Sequence, residues 1–129
     1  MIDHVDHIVL TTRDREGCVR FYTQVLGMAL ESFQTPTETR WALRFGNQKI
    51  NLHEWGREFT PRAHVAAPGM LDLCFIASVP LEAVIARLGQ ANVPILEGPV
   101  MKTGATGKIR SVYVRDPDLN LVEISEPAA

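Results

Sequence analysis

Asp6-His7-Ile8-Val9-Leu10 opens a pattern that Leu71-Asp72-Leu73-Cys74-Phe75 opens a second time. Each stretch precedes a segment of helical period and then further strand-like runs. Each half ends in an alternating strand, Ile50-Asn51-Leu52-His53 in the first and Val122-Glu123-Ile124-Ser125 in the second. Side chains alternate faces along a strand. Sorted by polarity, Ile8, Leu10, Ile50, Leu52, Leu71, Leu73, Phe75, Val122 and Ile124 form the face that packs under helices. His7, Asn51, His53, Asp72 and Glu123 take the other. Imidazole and carboxylate groups delivered by four strands to one surface are the makings of a metal site.

Working outward, Thr11-Thr12-Arg13-Asp14 supplies N-cap chemistry, and Val19, Tyr22, Val25 and Leu26 recur at helical spacing up to Gly27. The spacing predicts a helix over 14–26. Strands are expected over 28–34, 39–46 and 49–54, which makes the first module, about 3–55, βαβββ. From about 56 to 69 periodicity is lost and Pro61, Pro68 and Gly69 accumulate, as in a linker. The second module, about 70–126, has Pro80 at a helix start, Leu81, Val84, Ile85 and Leu88 on one helix face, and Asn92 as its end. Strands are expected near 94–97, 109–115 and 120–125, with 98–108 an extra Gly-rich loop. The expected fold class is α+β: two tandem βαβββ modules in one domain over 1–129, their curved mixed sheets forming a cleft.

At 129 residues and 46% hydrophobic content the chain can bury a core without staples. A formal charge of -2 gives no basic stripe, which argues against nucleic acid. No apolar run reaches membrane-spanning length, and a soluble cytoplasmic protein is expected. Cys18 and Cys74 lack metal-type spacing and are expected as reduced core residues. Arg13, Arg40, Arg44 and Arg110 are candidates to meet a substrate carboxylate, and Trp41 and Tyr113, on the strands before the site strands, are candidates to line a pocket or fill the core. Glu54 alternates away from the site and is expected as a solvated strand end. A turn around Pro117 is expected to use Asp116 and Asp118, with Asn120 at positive φ.

The module order, His7 in the opening strand, the Phe21-Tyr22 to Leu26-Gly27 helix end, and Asp116-Pro117-Asp118 leading to Asn120-Leu121-Val122-Glu123 resemble the vicinal oxygen chelate superfamily. That group includes glyoxalase I, extradiol dioxygenases, fosfomycin-resistance thiol transferases and bleomycin-resistance proteins. The segments Gln48 to Glu54, Asp72 to Ile76 and Glu97 to Ala105 look closest to the glyoxalase domain-containing protein 5 branch and its bacterial lactoylglutathione lyase-like virulence relatives. The resemblance implies a divalent ion, Zn, Ni, Mn, Mg or Fe, held by His7, Asp72 and Glu123, with His53 a further donor. Asp72 stands where metal-dependent relatives usually carry histidine, and Asn51 where glyoxalase I resembles a glutamate site. Leu119 replaces a glycine common at that turn.

On this reading Glu123 is the catalytic base of a lactoylglutathione lyase-like isomerisation through an enediolate. Asn51, Trp41, Tyr113 and Arg110 meet a small oxygenated or glutathione-adduct substrate. The alternatives are an extradiol-type dioxygenase, which would need His53 as a second imidazole, and a metal-free binding protein of the bleomycin-resistance type. A homodimer is implied by the resemblance.

Overall fold

The structure, a computed structural model, describes residues 1–128. Its chain divides into two units, Met1–Met70 and the part from Leu71 onward. In the first, β1 (His7–Thr12) and helix α1 (Arg15–Arg20) precede β2 (Ala29–Gln34), β3 (Thr39–Phe45) and β4 (Gln48–Glu54). These strands form a sheet in the order β1-β4-β3-β2, with β1 parallel to β4. The second unit holds β5 (Asp72–Ile76), α2 (Leu81–Gln90), β6 (Glu97–Thr103), β7 (Lys108–Arg115) and β8 (Leu121–Pro127). Its sheet runs β5-β8-β7-β6, with β5 parallel to β8. This is the α+β pattern of two four-stranded mixed sheets, and no helix among the described residues is long and apolar enough to cross a membrane.

Register keeps the alternation intact. Ile8 lies opposite Ile50 and Leu10 opposite Leu52, while Leu73 lies opposite Val122 and Phe75 opposite Ile124. Residues directly across a ladder share a face, so each sheet has one apolar side. In the first unit Leu10, Leu43 and Ile50 are fully buried, as are Cys18 and Tyr22 from the helical segment; in the second Val112, Val114 and Val122 are, as is Leu81 of α2. Burying each such aliphatic side chain contributes about 1.5–3 kcal/mol, and a one-residue slip would turn the whole row outward.

Helix 14–26 is replaced by a composite. Asp14 caps α1, its Oδ1 accepting from Gly17 N at 3.1 Å, but the α-helical ladder stops at Arg20 and a π turn covers Phe21–Val25. The Thr23 hydroxyl donates to Val19 O at 2.6 Å, and Leu26 N reaches back five residues to Phe21 O at 3.1 Å. Such back-bonding from a threonine competes with the regular ladder. Phe21 and Tyr22 are both buried, with their rings edge-on at 5.1 Å. Gly27, at φ 80°, ends the segment.

Two further expectations change. The loop over 98–108 is largely strand, because β6 runs from Glu97 to Thr103 and only 104–107 remain as its turn, closed by Gly104 N donating to Gly107 O at 2.7 Å. A bulge between Glu97 and Val100 makes this possible at Gly98, whose φ is +109°. A Cβ there would lie 2.4 Å from Ser111 O, so glycine is required. In the turn after β7 it is Leu119, at φ 70°, and not Asn120 that is left-handed. Asn120 is occupied instead: its amide donates to Asp116 Oδ2 at 2.8 Å, and its Oδ1 accepts from Leu71 N at 2.9 Å, tying the turn to the entry of β5.

Candidate functional site

Opposite the helix in the first unit, the ladder places His7, Val9 and Thr11 of β1 beside Lys49, Asn51 and His53 of β4. Ala42 and Arg44 of β3 continue this face, followed by Glu31 and Phe33 of β2. His7 is exposed and its Nδ1 meets Asp6 Oδ2 at 2.8 Å. That bond holds the Asp6 carboxyl below its usual range. His53 is buried and stands edge-on to Phe59 at 4.9 Å. Burial lowers its pKa, with the charge of Arg40 acting in the same direction and Glu58 against it.

In the second unit the corresponding face carries Asp72 and Cys74 of β5, Glu123 and Ser125 of β8, and Ser111 and Tyr113 of β7. Tyr113 and Glu123 are direct cross-strand partners. Desolvation, then a hydrogen bond with Glu123, pushes the Tyr113 phenol up to about 12, so the hydroxyl stays protonated. Ser125 Oγ links the group, 2.7 Å from Ser111 Oγ and 3.5 Å from both Cys74 Sγ and Glu123 Oε2. Cys74 is therefore an exposed member of this face and not a core residue, whereas Cys18 is buried. Partial burial raises the Cys74 pKa, and the neighbouring carboxylates Glu123 and Asp72 add to the rise.

Several candidates are elsewhere. Trp41 pairs with Leu52 on the helix side, where the Arg15 guanidinium lies over its ring at 4.6 Å. The residue opposite Asn51, and so the counterpart of Tyr113, is Ala42. A one-residue difference in register inverts the face, which is why Trp41 and Tyr113, though on corresponding strands, lie on opposite sides of their sheets. Arg110 also lies on the helix side, bonded to Glu82 of α2 at 2.7 Å and to Glu126 at 3.1 Å. Its charge is committed within the unit, which removes the reason for placing it against a substrate. Glu54 is no free strand end, since Arg15 at 3.1 Å and Arg57 at 3.7 Å share it. Those arginines, with Thr12, Arg13 and Trp55, line a recess of about 410 Å³ at the ends of β1 and β4. Nothing in the sequence pattern marked it, because its walls come from a strand end, a helix start and a loop.

His7, Asp72 and Glu123 have the donor chemistry of a hard divalent ion. Among the described residues, however, no three His, Cys, Asp or Glu side chains are gathered as such an ion requires. His53 does not join His7: it pairs with Thr11, four residues along β1, which is about 13 Å at roughly 3.3 Å per residue. Two imidazoles whose backbone positions lie that far apart do not share one ion, so His53 does not join His7 as the second imidazole that the dioxygenase alternative needs. Neither unit by itself gathers a three-donor set among its described residues.

A profile for the Glyoxalase/Bleomycin resistance protein/Dioxygenase superfamily matches residues 4–124. The chain belongs to this superfamily. A virulence protein of Salmonella typhimurium, STM3117, is 51% identical over 126 residues, covering 98% of this chain and 85% of its own length. The crystal structure of that protein superposes with a TM-score of 0.94, covering 99% of both chains. At 22% identity, likeness extends in fold to a lactoylglutathione lyase from Agrobacterium tumefaciens (TM-score 0.72, 97% of this chain and 94% of that one). It extends equally to TnmS3, an antibiotic-binding protein from Streptomyces sp. CB03234 (TM-score 0.76, 98% of each). A divalent metal is typical of the superfamily, while its fold also serves proteins described as binding proteins.

Proposed function

We propose that this superfamily member is a glyoxalase-type enzyme that isomerises a small oxygenated or glutathione-adduct substrate by proton transfer at Glu123. The observation that carries the reading is a carboxylate paired with a protonated phenol on a polar sheet face, Glu123 with Tyr113. Glu123 takes the proton from the carbon next to a substrate carbonyl, and the electron pair of that C–H bond moves onto the carbonyl oxygen. The Tyr113 hydroxyl hydrogen-bonds to the enediolate oxygen so formed; Glu123 returns its proton to the former carbonyl carbon, while the hydroxyl proton of the carbon first deprotonated passes to that oxygen, leaving the new carbonyl where the hydroxyl was. Ser125, at 3.5 Å from Glu123, restrains the carboxylate.

The test is turnover of the hemithioacetal of methylglyoxal and glutathione by the purified chain and by Glu123→Gln, with elemental analysis of the same preparations. Turnover by the parent that falls by two decades or more in the variant is the expected result, on the scale usual for a general base. Full turnover by Glu123→Gln would overturn the assignment. The second reading, a metal-free binding protein, is favoured by Asn51 at the glutamate position and by the absence of a three-donor cluster among the described residues. No turnover combined with one-to-one retention of a small ligand is its signature. A homodimer and a cytoplasmic location belong to the same proposal through the family. Light scattering showing only monomer at micromolar concentration removes the first, and cell fractionation reads the second.

A further inference from the structure

Arg40 belongs to β3, on the same face as Asn51 and His53, and its cross-strand partner on β2 is Phe33. Its guanidinium lies under the Phe59 ring, 4.2 Å from the centroid. Among the described residues its one ionic partner is Glu38, whose Oε1 accepts from Nη2 at 3.4 Å, a long contact between two groups that are each about two-fifths exposed, 41% and 36%. The adjacent donor, Nε, is buried and has no hydrogen-bond partner among the described residues. Leaving a buried charged donor unmade is costly, and Nε with Nη2 forms the planar fork that a carboxylate fills with two parallel bonds. Glu38 fills half of that fork.

We infer that Arg40 anchors a carboxylate-binding subsite on the helix-free face of the first unit. The carboxylate of a small molecule takes Nε and Nη2 together in place of Glu38, and its flat apolar body lies against Phe33. Phe59 covers the face of the guanidinium, and displacement of Glu38 is what gives the ligand the Nε–Nη2 edge; Arg is suited to this where Lys is not, since an ammonium has no fork. Phe33 is large, apolar and 45% exposed, so it has contact area to give. Asn51 and Thr11 supply neutral polar groups on the same face. The negative groups nearby are Glu38, which the ligand displaces, and Glu58, which bonds Gly56 N at 2.9 Å and pairs with Arg62 at 3.3 Å. This subsite lies in the first unit and does not depend on proton transfer at Glu123.

The experiment is titration of the full-length chain with benzoate at pH 7, followed by calorimetry, with benzamide as the neutral isostere. Saturable benzoate binding is expected, with no comparable benzamide binding. Arg40→Gln should weaken benzoate by about tenfold or more, as loss of a charged hydrogen-bond pair does. Glu38→Gln, which removes the competing carboxylate, should tighten it several-fold. Thermal melts establish that each variant is folded; if Arg40→Gln is not, Arg40→Lys keeps the charge without the fork and should show the same weakening. The inference falls if the parent does not bind benzoate, if benzamide binds equally, if the folded Arg40 variant binds as the parent does, or if Glu38→Gln binds more weakly. Glu123→Gln should bind benzoate like the parent, so loss of turnover in that variant and failure of the Arg40 subsite are read separately.

Discussion

Where the first unit sets Ala42 opposite Asn51, the second sets Tyr113 opposite Glu123. His7 opens the one and Asp72 the other, each at the start of an edge strand that runs parallel to the last strand of its own unit. The two sheets share strand order and apolar rows, yet one helix-free face carries imidazole, amide, lysine and arginine groups and the other mainly carboxylates, a phenol, a thiol and hydroxyls. The apolar side is constrained by burial along most of each sheet, Leu10, Leu43 and Ile50 in the first and Val112, Val114 and Val122 in the second, and a change there costs stability at once. The opposite side is constrained only in part: Ala42, His53, Ser111 and Ser125 are buried, while His7, Val9, Asp72 and Cys74 are exposed. Two copies of one backbone pattern can therefore hold their cores alike while their polar faces take up different chemistry.

The largest effect that tests this asymmetry is on turnover. Glu123→Gln should lose two to four decades of kcat/KM on a processed substrate, a general-base magnitude, whereas Asn51→Asp at the matching position should stay within about tenfold. Equal losses would mean that the units are chemically equivalent. Next is the turn that only the second unit builds on a buried acid. Asp116 accepts from Asp118 N, Asn120 N and the Asn120 side chain at 2.8–2.9 Å. Asp116→Ala strands these buried donors and should cost about 2–3 kcal/mol in urea unfolding. Smaller, and opposite in sign, is Leu119→Gly. Leu119 is exposed and left-handed, so relief of the αL penalty of roughly 1–2 kcal/mol is offset in part by the entropy of glycine. A net gain of under about 1 kcal/mol is expected, and a loss would show that Leu119 makes a contact worth more than its strain.

The last effect is a slope and not a step. His53 in the folded unit has its pKa lowered, chiefly by burial, while in the unfolded chain it titrates near 6.5. Between those values the unfolded state binds more protons, so the contribution of neutral His53 is complete above 6.5 and is lost as pH falls through that window. His53→Gln should flatten the dependence of unfolding free energy on pH just below 6.5. An unchanged slope would assign the proton uptake to another group.

Much of this was legible along the chain. The alternation in Ile50-Asn51-Leu52-His53 and Val122-Glu123-Ile124-Ser125 separates core from polar face because the strand period is two, and periodicity survives in sequence whatever the partners are. The 14–26 segment was legible as helical but not as a π turn, since the Thr23 hydroxyl bond to Val19 depends on a rotamer that spacing does not encode. The strand from Glu97 to Thr103 was hidden because its glycine and proline read as loop, and only the bulge against β7 shows why they are tolerated. The faces taken by Trp41 and Arg110 are not legible for a single reason: which face a residue takes depends on the ladder it joins, and an aromatic or arginine looks the same on either side.

Periodicity along the chain sets the repeated βαβββ pattern, the apolar rows, and the polar set that includes His7, Asn51, His53, Asp72 and Glu123, because hydrophobic burial acts on every strand and leaves a periodic trace. Strand pairing in three dimensions is what sets Tyr113 against Glu123, binds Arg110 to Glu82 and Glu126, holds His53 apart from His7, and leaves Arg40 Nε without a partner among the described residues. Those outcomes turn on register between strands far apart in the chain, where hydrogen-bond geometry is fixed within tenths of an ångström and no local pattern records it.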